Sequence, residues 1–217
     1  MIGPQPDHLK GRKTLALDLD ETLVHSQFNA VKSDYIIPID VEGRICNIYV
    51  LKRPGVDFFL QQMAKYFEVI IYTASLSKYA DPLMDMMDPN GYCTARLFRE
   101  HCTFVNGVYV KDMSVLGRDM KDTILIDNSP ASYMLQPECG LPILSWYEDT
   151  SDQVLLDYTP MLIEMSRINE IRACIPRIVR NHQIDLGLAL QVCKQILAKE
   201  QVQQLQAKAN SLKAIQI

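Results

Sequence analysis

Thr14-Leu15-Ala16-Leu17-Asp18-Leu19-Asp20-Glu21-Thr22, residues 14–22, is the stretch whose reading decides the fold. It opens as a short, nearly continuous apolar run, the pattern of a strand buried on both faces of a parallel sheet. Three acidic residues, Asp18, Asp20 and Glu21, begin where that run ends. A buried strand carries such charges only where they are paired or functional.

Downstream, Tyr35 to Val41 and Ile45 to Leu51 read as a hairpin about Glu42-Gly43-Arg44. Pro54-Gly55 opens a helical stripe of Val56, Phe59, Leu60, Met63, Ala64 and Phe67. Val69 to Tyr72 is a second buried strand, followed by Thr73, Ser75 and a helix from about Leu76 to Met87. Strand and helix at this spacing predict an α/β sheet with helices on its faces. From 94 to 112 the pattern changes to short β-prone segments, Arg96 to Phe98, Cys102 to Phe104 and Val108 to Val110, the last two flanking Asn106-Gly107. We expect a small antiparallel β insertion there. Thr123 to Ile126 is a third core strand ending at Asp127-Asn128, and Pro130 can start a short helix. Leu141 to Leu144 reads as another strand and Gln153 to Ser166 as a helix.

The chain has 217 residues, 48% hydrophobic and 22% charged, enough for one core with a small insertion. Its net charge of -4 gives no field for direct nucleic-acid binding. Six cysteines without a C-x-x-C pair read as mostly reduced core residues. Residues 1–12 are polar and read as a flexible N-terminus, not a secretory signal. No stretch approaches the roughly 20 apolar residues of a membrane span, so a soluble intracellular protein is expected. Residues 13–176 read as one domain and 177–217 as a helical tail. That tail has six basic against two acidic residues, locally +4, leaving -8 for the rest. Leu186, Leu190, Cys193 and Leu197, then Val202, Leu205, Ala209 and Leu212, fall at near-heptad spacing. Residues 184–212 are therefore open to packing on the core, to a homo-oligomer or to a helical partner.

The chemistry-bearing residues fall just past three strand ends: Asp18 and Asp20, Thr73 and Ser75, Asp127 and Asn128. In open α/β sheets these ends converge on one crevice. Carboxylates this close repel unless a cation or shared proton compensates. An oxygen-rich set suits Mg²⁺, whereas zinc wants histidine or cysteine. Such a site can attack a phosphomonoester with a carboxylate, use a second carboxyl as acid and base, and steady the phosphoryl oxygens with Lys111 and Thr73.

Asp18 to Thr22 with Leu23-Val24 resembles the first motif of haloacid-dehalogenase-type phosphatases. Leu15 to Ser26, Leu51 to Val56, Tyr72 to Pro82, Arg96 to Gly117 and Ile124 to Tyr133 together resemble the small phosphatases of the RNA polymerase II C-terminal domain, over about residues 13–170. The resemblance implies a haloacid-dehalogenase-like Rossmannoid sheet and an Mg²⁺-dependent protein serine phosphatase. It makes Asp18 nucleophile and metal ligand. Asp20 is general acid and base, its backbone carbonyl facing the metal. Thr73 and Lys111 hold the phosphoryl group, and Thr22 supports the nucleophile loop. Asn128 is a metal ligand, while Asp127 orients the lysine and the water held on the metal. Phe28, Ile39, Val41, Leu76 and Tyr79 match an apolar pocket for a proline near the phosphoserine, and Arg99 a basic residue steering the peptide. The implied substrate is a phosphoserine-proline peptide such as the polymerase tail, the implied location nucleus or cytoplasm. A small-metabolite phosphatase and a non-catalytic scaffold are the alternatives.

Overall fold

The computed structural model describes residues 2–215. The chain runs β1 (Lys13–Leu17), β2 (Val24–Gln27), β3 (Tyr35–Val41), β4 (Arg44–Lys52), α1 (Val56–Tyr66), β5 (Phe67–Tyr72), α2 (Ser77–Met87) and β6 (Cys93–Leu97). It continues through β7 (Thr103–Val105), β8 (Val108–Val110), β9 (Thr123–Asp127), β10 (Gly140–Pro142), α3 (Val154–Met165) and α4 (Ile171–Ile178). It ends with β11 (Val179–Arg180), β12 (Gln183–Ile184) and α5 (Leu186–Ile215).

Five parallel strands in the order β10-β9-β1-β5-β6 form the central sheet. Every residue of β1, β5 and β9 is buried, as their unbroken apolar runs dictate. The order reverses at β1, so the crevice beyond its C-terminal end is the topological switch point. Side chains alternate between two cores. Leu15, Leu17, Val69, Ile71, Ile124 and Ile126 join the large cluster built by the five α-helices. Ala16, Ile70, Tyr72 and Leu125 join a smaller one closed by single turns carrying Met113, Leu116 and Tyr133. The sheet is thus covered as expected, by α-helices on one face and by short helical turns on the other.

The strand reading also needs two corrections. Arg96 and Leu97, expected in the antiparallel insertion, belong to β6, the parallel edge strand beside β5. Its half-exposed, polar-interrupted sequence hides that membership. Only β7 and β8 pair antiparallel there, about Asn106-Gly107. The larger antiparallel element lies between β1 and α1, where β2 adds to the expected hairpin in the order β2-β4-β3. That hairpin turns on Glu42 (φ 53) and Gly43 (φ 80), both in the left-handed region a tight hairpin requires.

All six cysteines are free, but Cys46, Cys93 and Cys102 are only half-buried, against the core placement expected. The boundary expected at Arg177 falls inside α4. In the tail, Ala189, Val192 and Cys193 are buried against the core, with Ile196 and Leu197 packed beside them. The first half of α5 is therefore an intramolecular helix face rather than a free seam. Val202 and Leu205 are exposed; the side chains of Ala209 and Leu212 lie outside those described.

At the sheet end away from the crevice, Glu68 is buried on β5. It accepts from Arg118 Nε (2.8 Å) and Nη2 (2.7 Å) and from Thr14 Oγ1 (2.9 Å). Burial opposes its charge, yet Arg118, Thr14 and Gln5 outweigh it and hold the carboxyl below its ordinary value of 4.5. A depressed folded pKa means stability that is present above the ordinary glutamate range and lost as pH falls through the folded value. Glu68→Gln, which leaves the Arg118 charge without its partner, is expected to cost about 3 kcal/mol at neutral pH. In urea melts the gap from the parent should narrow as pH falls below the ordinary glutamate range and through the folded value.

Candidate active site

Asp18 follows β1 directly, and its backbone N–H donates to Ile126 O (3.0 Å) on β9. The chain then folds into a tight loop. Leu19 O accepts from Leu23 N (2.8 Å) and Val24 N (3.1 Å), while Glu21 takes a left-handed backbone (φ 55). The loop is held from outside by Trp146 N donating to Glu21 O (2.8 Å). It is held from beneath by Arg53, which is 1% exposed. Arg53 donates to Thr22 O (3.0 Å) and Leu144 O (3.2 Å), and pairs with both Asp152 oxygens at 2.8 and 2.9 Å. Sequence reading gave Arg53 no role; nothing local to Lys52-Arg53-Pro54 signals these distant partners.

The crevice brings Asp18, Lys111 and Asp127 together. Lys111 Nζ lies 2.5 Å from Asp18 Oδ1 and 2.5 Å from Asp127 Oδ2, with the lysine 1% exposed. Burial disfavours its charge, but the two carboxylates outweigh that and push it up to about 12. Asp127 itself is raised to about 6, by burial first and by Asp18 next. Its other oxygen accepts from Ser129 N (2.8 Å). The remaining Asp18 oxygen accepts from Thr22 Oγ1 (2.7 Å), which also lies 3.5 Å from Asn128 Oδ1. Asn128 Nδ2 donates to Ser145 Oγ (2.9 Å), so its carbonyl oxygen is the end turned toward Thr22. The acidic cluster is therefore compensated in part from within, by the lysine ammonium between two carboxylates.

Asp20 stands apart from that clasp. Its Oδ2 accepts from Ser75 Oγ (2.6 Å), and its Oδ1 from Tyr79 Oη (2.9 Å) and Ser26 Oγ (3.2 Å). Burial raises the Asp20 carboxyl above its ordinary range, and the nearby Asp18 charge adds to this against the hydroxyl donors. Thr73 is buried at the end of β5, where its Oγ1 accepts from Ser75 N (3.0 Å).

A groove of about 390 Å³ opens from Asp20, lined by Phe28, Ile39, Leu76, Tyr79 and Arg99 from the expected set, with Ser26, Ile48 and Lys78 among its other walls. Val41 is not part of that lining; it sits at the β3–β4 hairpin tip opposite Arg44, 38% exposed. Phe28 is 68% exposed, an apolar wall of the groove open to solvent. Tyr79, read as an apolar wall, also anchors Asp20 through its hydroxyl. Ile48 carried a signal that was missed, since its register with Ile37 on β3 puts it on the face of Ile39.

The family of NLI interacting factor-like phosphatases matches residues 13–172, and the chain belongs to that family. It is 50% identical over 173 residues to a probable C-terminal domain small phosphatase of Dictyostelium discoideum, covering 79% of this chain and 56% of that protein. It is 48% identical over 169 residues to the human CTD small phosphatase-like protein, covering 77% of this chain and 61% of that one. The chain thus spans less than two thirds of these relatives' length. Fission yeast Fcp1, an RNA polymerase II CTD phosphatase solved bound to beryllium fluoride, shares the fold. The TM-score is 0.55 at 16% identity, over 92% of this chain and 66% of that one.

Membership implies dependence on Mg²⁺. Among the described residues no three His, Cys, Asp or Glu side chains are grouped to hold a metal. The donors that do meet here are of another kind. They are the Asp18 carboxylate and the Asn128 amide oxygen, both turned to Thr22 Oγ1; the Asp20 backbone carbonyl, two residues past Asp18, accepts no backbone hydrogen bond among the described residues. An all-oxygen set with a single carboxylate fits Mg²⁺, which keeps several waters and takes further oxygens from a phosphate. No helix among the described residues is long and apolar enough to cross a membrane.

Proposed function

We propose that this chain is an Mg²⁺-dependent protein serine phosphatase working through a phospho-aspartyl intermediate on Asp18. The carrying observation is the Asp18 carboxylate held between Lys111 Nζ at 2.5 Å and Thr22 Oγ1 at 2.7 Å, with the separately bonded, half-buried Asp20 two residues on. Asp18 and Asn128, with the Asp20 carbonyl, would hold the ion, which neutralises phosphate charge as the anionic nucleophile approaches.

An Asp18 oxygen attacks phosphorus, and the bond from phosphorus to the serine oxygen breaks. Asp20, whose burial favours the protonated form, protonates that departing oxygen. Water then attacks the phosphorus of the acyl phosphate, giving its proton to Asp20 and releasing phosphate and free Asp18. Lys111 and the Thr73 hydroxyl steady the equatorial phosphoryl oxygens. Asp127 keeps Lys111 charged and aimed, and Arg53 with Trp146 fixes the nucleophile loop.

The open groove supports a peptide substrate. Phe28, Ile39, Leu76 and Tyr79 offer an apolar slot beside Asp20, suited to a proline ring near the phosphoserine, with Arg99 attracting the phosphorylated chain. The relatives' names point the same way, to the RNA polymerase II C-terminal domain as substrate, and nuclear residence follows from that substrate. The metabolite-phosphatase alternative lacks a closed cap over the site, and the scaffold alternative lacks a missing catalytic side chain.

The leaving group tests the role of Asp20. Asp20→Asn should lower kcat on a phosphoserine peptide by about 10³-fold. With p-nitrophenyl phosphate, whose leaving group departs without protonation, the first step should be nearly spared. Equal losses on both substrates in pre-steady-state phosphoryl transfer would remove Asp20 from the acid role.

A further inference from the structure

We propose that the β7–β8 hairpin carries a second recognition subsite, an aromatic ledge of Phe104 and Tyr109 that takes an aromatic side chain flanking the phosphoserine of a peptide substrate. This rests on the phosphopeptide reading above and adds a specificity determinant to it. Phe104 and Tyr109 are direct cross-strand partners, with ring centroids 5.0 Å apart and planes at 54°. Cross-strand aromatic pairs stabilise hairpins. That role does not account for the open surface left here, since Phe104 is 62% and Tyr109 38% exposed.

The ledge is tied to the catalytic crevice from two sides. Lys111, the residue that grips Asp18, follows β8 directly, two residues after Tyr109 and one after the buried Val110. From the groove side, the Arg99 guanidinium carbon stands 5.1 Å from the Tyr109 ring centroid. Arg99 is itself fixed by Nε donating to Ala74 O (2.6 Å) and by its backbone N–H donating to Ser75 O (2.9 Å). Arg99 therefore lines the groove and abuts the ledge at once, joining them into one track. A phosphopeptide seated in the groove runs past Arg99, whose charge complements its own, onto two exposed rings. Rings of this kind favour offset or edge contacts with a third aromatic ring. A proline slot at one end and an aromatic ledge at the other would read the chain on both sides of the phosphate.

The test is a set of phosphoserine peptides identical except for one tyrosine, moved through each flanking position in turn, each with its alanine counterpart. KM is measured for the intact chain and for Phe104→Ala. Ratios of tyrosine to alanine peptide within one protein cancel any loss of folded enzyme. The intact chain should show, at one flanking position, a KM about fivefold lower for tyrosine, and Phe104→Ala should bring that ratio close to one. A tyrosine preference that survives Phe104→Ala unchanged, or no positional preference in the intact chain, overturns the ledge while leaving the phosphopeptide reading standing. Turnover of p-nitrophenyl phosphate with none of any phosphopeptide overturns both.

Discussion

Asp18→Asn is expected to lower kcat on p-nitrophenyl phosphate by about 10⁴-fold or more at saturating Mg²⁺, since it removes the attacking atom's charge and basicity. The substitution keeps the shape of the side chain and an oxygen able to accept from Thr22 or Lys111. Lys111 also keeps its second carboxylate, Asp127, at 2.5 Å. The loss of stability should therefore stay near about 2 kcal/mol, the scale of one charge-assisted hydrogen bond. A folded variant by near-UV circular dichroism with turnover within tenfold of the parent would show that another group attacks phosphorus.

Lys111→Met should act on activity and on folding together. The ammonium is enclosed at 1% exposure and stands between two carboxylates that otherwise face each other. Without it, a shared proton is the remaining local compensation, and that proton partly neutralises the nucleophile. Loss of one charged donor to the transferring phosphoryl group removes about 10³-fold in kcat. Breaking the buried set costs about 3–5 kcal/mol, read as a lower denaturation midpoint. Asp127→Asn leaves the lysine paired with Asp18 and should fall between Lys111→Met and the parent on both measures.

The sequence made the catalytic strands legible for a physical reason: Leu15 to Leu17, Val69 to Tyr72 and Ile124 to Ile126 are buried on both faces, so each is an unbroken apolar run. Carboxylates at the ends of such runs stand out because their burial would otherwise be costly. Edge elements were less legible. In β6, polar Thr94 and Arg96 interrupt the run and only Leu97 is fully buried, and its parallel pairing with β5 is a non-local fact. β2 is polar after Val24 and takes its place only through β4.

Within the site, the residues alone gave types; the coupling of Asp127 to the lysine came only through the family resemblance. That Lys111 would bridge Asp18 and Asp127 depends on β8 delivering it across the crevice, and the three hydroxyls on Asp20 come from two segments far apart in sequence, Ser26 on β2 and Ser75 and Tyr79 around the start of α2. The tail shows the opposite limit. Its near-heptad spacing is real, yet half of it is spent on α3 and α4, because one amphipathic pattern serves an intramolecular face and a coiled coil equally well.

The most direct measurement is a single-turnover reaction of the intact chain with a phosphoserine peptide carrying radiolabelled phosphate, quenched in acid on the millisecond scale and mapped by proteolysis. Attack by an aspartyl oxygen predicts transient label on the peptide bearing Asp18, released by hydroxylamine and absent in Asp18→Asn. Free phosphate accumulating with no label passing through the protein, or label persisting in Asp18→Asn, would contradict it.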